Sequence, residues 1–395
     1  MNRTAIAASA EWAASHCDVA RVLGARMGFS EQIQQALRHL YERWDGKGMP
    51  GARHGTQIPL AVRLMQVAQD ADMTWRHGGT TLASRMLTDR AGSGLDPDIV
   101  DVFLSLGDQL FDGLDAPSIW DLALLAEPGP QPVVTPDRLD AYLSAVADFA
   151  DLKSMWTIGH SRGVARLAGR AAAVAGLPAA DITLLRQSAL VHDIGRVAVP
   201  VHAWGSPGPL SRDQREQVRL HAYHSERVLD VSDGLRPLAR LAGAHGERYD
   251  GSGYHRGSRS GDLPLSAWLL AAADCYQGMR EPRAHRPALS AAAAADELRS
   301  DAAAGRLAPE AVNAVLIAAG QPREPVPRPA GLSERECEVL GLVARGLATK
   351  QVARQLGISP KTCDHHIQSV YGKVGVSTRA GATLFALEHG LVSPG

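Results

Sequence analysis

Residues 190–200 read LVHDIGRVAVP, and the adjacent pair His192–Asp193 at their centre decides how the chain is read. Leu184, Leu185, Ala189 and Leu190 lead into the pair with helical apolar spacing, so it sits on a helix. On either side stand further residues of the same two chemical types: His160 before it, then His221, His245 and Asp274. Imidazole and carboxylate are the ligands of Zn, Mn and Fe sites. A His-Asp pair can hold one ion while its carboxylate bridges to a second. Two ions about 3.5–4 Å apart would polarise a phosphoryl oxygen and acidify a water between them, with no side-chain nucleophile required. A single histidine is usually structural, and the chain has 15 of them. The ordered set carries the metal reading, rather than any one member.

The remaining composition sets broad limits. A length of 395 residues suggests two to four domains. With 45% hydrophobic and 21% charged residues, a wholly disordered chain is excluded. Cys17, Cys275, Cys337 and Cys363 are far apart and form no CxxC pair, so neither a disulfide scaffold nor a structural zinc finger is expected, and a reducing cytoplasm fits. No run approaches 18 apolar residues, so no membrane span is expected, and the opening MNRTAIAASAEWAASHCD reads as a first helix rather than a signal peptide. Two proline-rich stretches, 127–136 and 320–331, read as linkers that divide the chain into 1–126, 137–319 and 332–395. Ala/Leu-rich helical spacing fills the intervals, and strand-like alternation is scarce. The expected class is mostly α.

The first interval echoes the second. ERWDGKGMPGARHGTQIPL (42–60) and ERYDGSGYHRGSRSGDLPL (247–265) align without a gap at an offset of 205, matching Glu42 with Glu247, Asp45 with Asp250, Gly48 with Gly253 and Pro59 with Pro264. GLDPDIVDVF (94–103) and GRLAPEAVNAV (305–315) are also alike. This is the pattern of a duplication. The metal residue types are missing from the first copy: Gln69 stands opposite Asp274, Leu40 opposite His245, and no His-Asp pair precedes Glu42. His16 and His39 read as structural or exposed.

Net charge is −1, but it hides a basic segment: residues 350–379 carry Lys350, Arg354, Lys361, Lys373 and Arg379 against Asp364 alone. Ser333 with Glu336 forms a capping box, Thr349 is the expected cap of a second helix ending at Gly357, and Ser359 caps a third that runs to about Val374. Two helices joined by LGIS, the second bearing Lys361, His365, His366 and Lys373, make a helix-turn-helix whose reader enters the major groove of duplex DNA, with Lys350 and Lys373 on phosphates.

HSRGVA (160–165), LVHDIGRVAVP, PGPLS (207–211), HAYHSERVL (221–229), HGERYDGSGYHRG (245–257) and AADCY (272–276) together resemble the HD-GYP family of metal-dependent phosphodiesterases. The resemblance implies an α-helical bundle, with one ion on His160, His192, Asp193 and Asp274. A second ion would share Asp193 and take His221 and His245. It implies a phosphate-holding role for Arg196 beside Asp193, and a recognition or docking loop at Asp250, Gly251, Gly253 and Tyr254. Departures are specific. Gly246 replaces a second consecutive histidine, His255 replaces the signature proline, Arg196 replaces a lysine and Trp156 replaces a carboxylate. The second ion thus loses a ligand, which His224, three residues after His221, is placed to supply. The expected cofactor is one or two ions of Fe, Mn or Zn. The expected substrate is a cyclic dinucleotide or another phosphate ester. The alternative is a module that no longer catalyses and instead senses a ligand or docks a partner.

LSEREcEVL, ARGLATKQVARQLGIS, KT-C-x-x-H and KVGVSTRAGA resemble the LuxR/GerE-type helix-turn-helix over about residues 332–391. That resemblance implies a small four-helix domain with DNA contacts at Thr349, Lys350, Ser359, Lys361, Thr362, His365, His366, Ser369 and Lys373. It also implies dimerisation through the last helix, about Arg379 to Glu388. The whole chain then reads as a cytoplasmic, homodimeric transcription regulator with no membrane association.

Overall fold

In a computed structural model, residues 3–114, 116–129, 133–321, 329–389 and 391 are described, and they form α-helices and short 3-10 turns with no named strand. Residues 130–132 of the first proline-rich stretch and 322–328 of the second lie outside the described residues. The chain divides into two compact units, Met1–Gln321 and Pro322–Gly395.

In the first unit the two copies of the repeat build the same loop. Gly46 and Gly251 donate their N–H groups to Arg43 and Arg248, Met49 to Tyr41 and Tyr254 to Gly246, all at the offset of 205. Glu42 and Glu247 are both fully buried and act as internal anchors. Glu42 accepts from Gly51 and Ala52 N–H at 3.2 and 2.8 Å, and Glu247 from Arg256 and Ser258 N–H at 3.1 and 2.8 Å. A buried carboxylate satisfied by backbone donors costs little and fixes a loop that has no regular structure of its own. The first copy docks on the helix Pro136–Asp151 through Arg26 to Asp148 and through Arg138 to the Met27 carbonyl, 2.8 Å.

The core of the second copy is alanine-rich. Ala165, Ala168, Ala171 and Ala172 on helix His160–Val174 meet Leu185 and Ala189 on Ala179–Val191, and Trp268, Leu269 and Ala273 on Leu265–Arg280 close over them. Small side chains let the axes approach, which brings the polar ends of these helices near one another. The start of helix His160–Val174 is fixed by Asp151, whose carboxylate accepts from Ser161 N–H at 3.0 Å and Ser161 Oγ at 2.7 Å. His192 caps the C-terminus of Ala179–Val191, and Asp193 opens the 3-10 turn Ile194–Ala198. Gly195 lets that turn lie on helix His221–Asp230: a Cβ there would fall 2.0 Å from His221 O and 2.5 Å from Ser225 N. Its own N–H instead reaches Ser225 Oγ at 2.9 Å. One missing side chain therefore sets Asp193 beside His221.

Among the described residues the second unit carries four α-helices, Glu334–Ala344, Thr349–Gln355, Pro360–Val374 and Arg379–Glu388. Its first helix carries the expected capping box, with Glu336 N–H to Ser333 Oγ and Ser333 N–H to Glu336 Oε2. The second helix corrects an expectation: Thr349 is its first residue, and Ala348 is the cap. Ala348 has no side-chain oxygen, so Gln351 reaches back to its N–H at 2.8 Å.

Glu336 does more than cap. It is buried, and its carboxylate also takes Ser369 Oγ at 2.6 Å and Lys373 Nζ at 2.7 Å. Burial alone would raise its pKa, but the Lys373 ammonium and the Ser333 and Ser369 donors outweigh it and hold the group at about 2. A carboxyl depressed on folding stabilises the folded state above its unfolded pKa, and that contribution disappears as pH falls through the folded value. Glu336→Gln should therefore destabilise the C-terminal unit at pH 7 by about 1–3 kcal/mol. Thermal melts of the full chain should show this gap narrowing below about pH 4.5 and closing near pH 2.

Candidate metal centre

Four imidazoles and two carboxylates converge where the helix ends meet. His160 begins one helix, His192 ends the next, His221 begins a third, His245 follows helix Arg236–Gly243, and Asp274 lies on Leu265–Arg280. Asp193 sits among them, fully buried. Its Oδ2 lies 3.1 Å from His192 Nε2 and 3.6 Å from His160 Nε2. Its Oδ1 lies 3.1 Å from His221 Nε2 and 3.7 Å from His245 Nε2. Asp274 Oδ1 stands 3.0 Å from His160 Nε2 and 3.7 Å from His192 Nε2.

The outer nitrogens explain why these faces point inward. His192 Nδ1 is 2.8 Å from Ala189 O, His245 Nδ1 is 2.7 Å from Ala242 O, and His221 Nδ1 bonds Val218 O. A carbonyl accepts only, so each of these Nδ1 atoms is the donor, and in the neutral, metal-ready ring each Nε2 carries the free lone pair. His221 Nε2 and His245 Nε2 then face each other at 2.8 Å. Two lone pairs that close repel unless a cation lies between or beside them. His192 Nε2 and both Asp193 oxygens are buried and make no well-aligned hydrogen bond among the described residues, although Arg196 Nη2 and the imidazoles lie within ion-pair distance of Asp193. Such orphaned acceptors fit a divalent ion. Two overlapping triads have the reach to hold it: His160, His192 and Asp274, and His192, Asp193 and His245.

Electrostatics agree with a cation-seeking centre. Burial disfavours charge on His192, but Asp193 and Asp274 override it and raise the pKa to about 10. Burial, with His221 and His192 nearby, pushes His245 down to about 3 and keeps it neutral. Asp193 and Asp274 are held well below the carboxylate range, against burial, by Arg196 and the imidazoles respectively. Arg196 is itself buried, with Nη2 2.7 Å from Asp193 Oδ2 and its guanidinium over the Trp204 ring.

One neighbour of the centre was not named from the sequence, and one was named for a different place. Glu281 Oε2 lies 2.8 Å from His160 Nδ1, making His160 the one imidazole of the four whose outer nitrogen faces a carboxylate. Gln277 and Arg283 in turn hold Glu281, at 2.7 and 3.0 Å. Glu281 follows Asp274 by seven residues, two helical turns, and this same-face spacing is the signal that could have found it. Tyr254, expected only in the loop, also stands at the centre, its ring edge-on to His221 and His245 at 5.7 and 6.3 Å. A Cβ on Gly246 would fall 1.9 Å from that ring. With Tyr254 in this place, residue 246 has no room for a ligand side chain. Burial raises the phenol to about 12, so it stays neutral. The other loop residues do structural work: Asp250 Oδ1 accepts from Ser252 N–H and Oγ, and Gly253 packs on the Glu247 backbone. His224 belongs to neither triad.

In the helix-turn-helix, Lys350, Ser359, Lys361, Thr362 and His365 are exposed, while Thr349 and His366 are half-buried. Ser359 caps the third helix, accepting from Thr362 N–H at 3.0 Å. Ser369 Oγ and Lys373 Nζ bond Glu336, and Lys373, itself exposed, also bonds Gly331 O at 3.2 Å.

Comparison with known proteins follows the same division. Residues 5–99 and 144–310 match the family model of the HD domain, and residues 330–386 match that of bacterial regulatory proteins of the luxR family. The chain is 32% identical over 275 residues to a 3'3'-cGAMP-specific phosphodiesterase 3 of Vibrio cholerae, covering 69% of this chain and 59% of that protein. It is 31% identical over 183 residues to a cyclic di-GMP phosphodiesterase of Thermotoga maritima, covering 46% and 49%. It is 40% identical over 62 residues to the transcriptional regulatory protein MctR of Rhizobium johnstonii, covering 16% and 29%. It thus spans about three fifths or less of the length of these curated relatives. The crystal structure of the cyclic GMP-AMP-specific phosphodiesterase V-cGAP3 of V. cholerae superimposes with a TM-score of 0.56 at 27% identity, over 79% of this chain and 73% of that one. No described helix is long and apolar enough to cross a membrane.

Because a carboxylate on the outer nitrogen fixes the tautomer and raises ligand basicity, Glu281→Gln should weaken metal binding about 10–100-fold. Competition with a chromophoric chelator reads this directly, and an unchanged far-ultraviolet circular dichroism spectrum separates it from unfolding.

Proposed function

Because the chain belongs to the HD domain family and carries a LuxR-type helix-turn-helix domain, we propose that it is a DNA-binding regulator whose larger unit acts on a phosphate ester at a divalent-metal centre. The observation that carries this reading is the common orientation of His160, His192, His221 and His245. Each outer nitrogen is tied off, and each inner lone pair is aimed at Asp193 or its neighbours. His160, His192, Asp193 and Asp274 would hold one ion, and His221 and His245 would stand on the other side of Asp193. A bound Fe, Mn or Zn ion would polarise a phosphoryl oxygen and acidify a water.

This chain's own residues do the rest. Asp193 presents its two oxygens to opposite sides of the centre. Glu281 keeps His160 turned inward. Arg196 brings a permanent fork-shaped cation to the edge of the centre, suited to a phosphate oxygen. Beside it opens a cavity of about 740 Å³ lined by Arg196, Arg215, Asp274, Arg283 and His285. Its basic wall favours an anionic substrate, and the named activities of the V. cholerae and T. maritima relatives point to a cyclic dinucleotide. A second reading, ligand sensing without turnover, is favoured by one feature: Tyr254 fills the space beside Gly246, so the His221–His245 side gains no further ligand from residue 246.

For the helix-turn-helix we propose DNA contacts from Lys350, Ser359, Lys361, Thr362 and His365, with Thr349 and His366 at the margin. Its final helix exposes Leu384, and we propose that it pairs two chains. A DNA-binding role fits the cytoplasm, and we propose that location.

Hydrolysis of 3'3'-cGAMP and cyclic di-GMP by the Fe- or Mn-loaded chain should exceed that of Asp193→Ala at least 100-fold. Equal and negligible rates from both proteins would instead favour sensing. Lys361→Ala should weaken DNA binding across sequences and reduce the salt slope by about 1, read by fluorescence anisotropy over a salt series.

A further inference from the structure

The Trp204 indole, on which the Arg196 guanidinium rests, forms a wall of the centre. It ends the short helix Val201–Trp204. Its ring lies under the Arg196 guanidinium, 4.8 Å from centroid to Cζ, and edge-on to His221 at 5.5 Å. Trp204 Nε1, Arg196 Nε and Arg196 Nη1 are all shielded from solvent and have no hydrogen-bond partner among the described residues. Arg196, only 8% exposed, spends Nη2 on Asp193 and leaves the rest of its fork unused. Both side chains line the cavity that reaches Asp274.

A buried indole N–H normally finds an acceptor, and an unpartnered guanidinium edge is among the costlier groups to leave unpaired. The three orphans are all donors, and two belong to a permanent cation. Another donor or an apolar group would leave them unsatisfied, whereas an acceptor-rich anion would satisfy them together. Planar, forked donors beside an N–H suit the oxygens of a phosphoryl group.

We infer that Trp204 and Arg196 form a phosphoryl-binding wall, in which Trp204 Nε1 donates to a substrate phosphoryl oxygen and its ring holds the Arg196 fork in place. This rests on the metal-centre reading, which sets the reacting group beside Asp193. Trp204 is then a binding residue for the phosphate ester: it leaves the ions' own ligands untouched and acts on affinity for the anion.

The test uses the Mn- or Fe-loaded full chain with inorganic phosphate as probe. Trp204→Phe keeps a ring under Arg196 and removes only the donor. Calorimetry should show phosphate binding about 10-fold weaker in Trp204→Phe, at unchanged metal content. In the wild type, the indole N–H resonance that Mn broadens should shift as phosphate is added to the Zn-loaded chain. This second measurement needs no variant, so it stands even if Trp204→Phe folds poorly. Equal phosphate affinity in the two proteins, no phosphate binding, or an indole resonance that phosphate leaves in place would overturn the inference. A wild-type chain that takes up no metal would strike the metal-centre reading itself.

Discussion

The carboxylate of Asp193 lies in the protein interior with four imidazoles and a guanidinium around it, and much of the larger unit is arranged to keep it there. A buried carboxylate is costly unless opposite charge and hydrogen-bond donors surround it. Here that charge comes from Arg196 and His192. Bringing them together requires the ends of several helices to meet at one point. The alanine-rich contact between helices His160–Val174 and Ala179–Val191 makes this possible, and Gly195 closes the last gap to helix His221–Asp230. Stability and chemistry are coupled here: the packing that builds the core also sets the spacing of the ligands.

A graded shell surrounds this centre. Backbone carbonyls orient three of the histidines, and a carboxylate orients the fourth. Tyr254 closes the His221–His245 side and Trp204 the cavity side. The two halves of the centre are therefore unequal. One has carboxylates on both flanks, and the other is bounded by a neutral phenol whose ring excludes a side chain at residue 246. The Asp274 side therefore carries more negative charge than the His245 side.

Some of this was legible in the sequence. The order and spacing of His160, His192–Asp193, His221, His245 and Asp274 single out the residues that the fold gathers, because ligand types repeat where helices must supply them. The duplicated loop was legible too, since Glu, Asp and Gly recur in one register and each has a fixed backbone task. What escaped the reading depends on tertiary proximity. Glu281 meets His160 from 121 residues away, and Trp204 meets Arg196 only after the chain turns back. Lys373 and Ser369 read as DNA contacts from their place on the third helix, and that both also bond Glu336 on the first is visible only in the fold. Thr349 read as a cap because threonine often is one, whereas the helix begins at Thr349 and its cap, Ala348, donates its N–H to Gln351 Oε1.

The most direct measurement is the metal content of the purified full chain beside Asp193→Ala, by mass spectrometry after reconstitution with Fe, Mn and Zn in turn. One or two equivalents of a divalent ion in the wild type, lost in the variant while its helical content persists, is the predicted result. A wild-type chain that binds none of the three metals would contradict the account: the converging imidazoles would then be a structural remnant, and the larger unit would serve the DNA-binding domain by some other means.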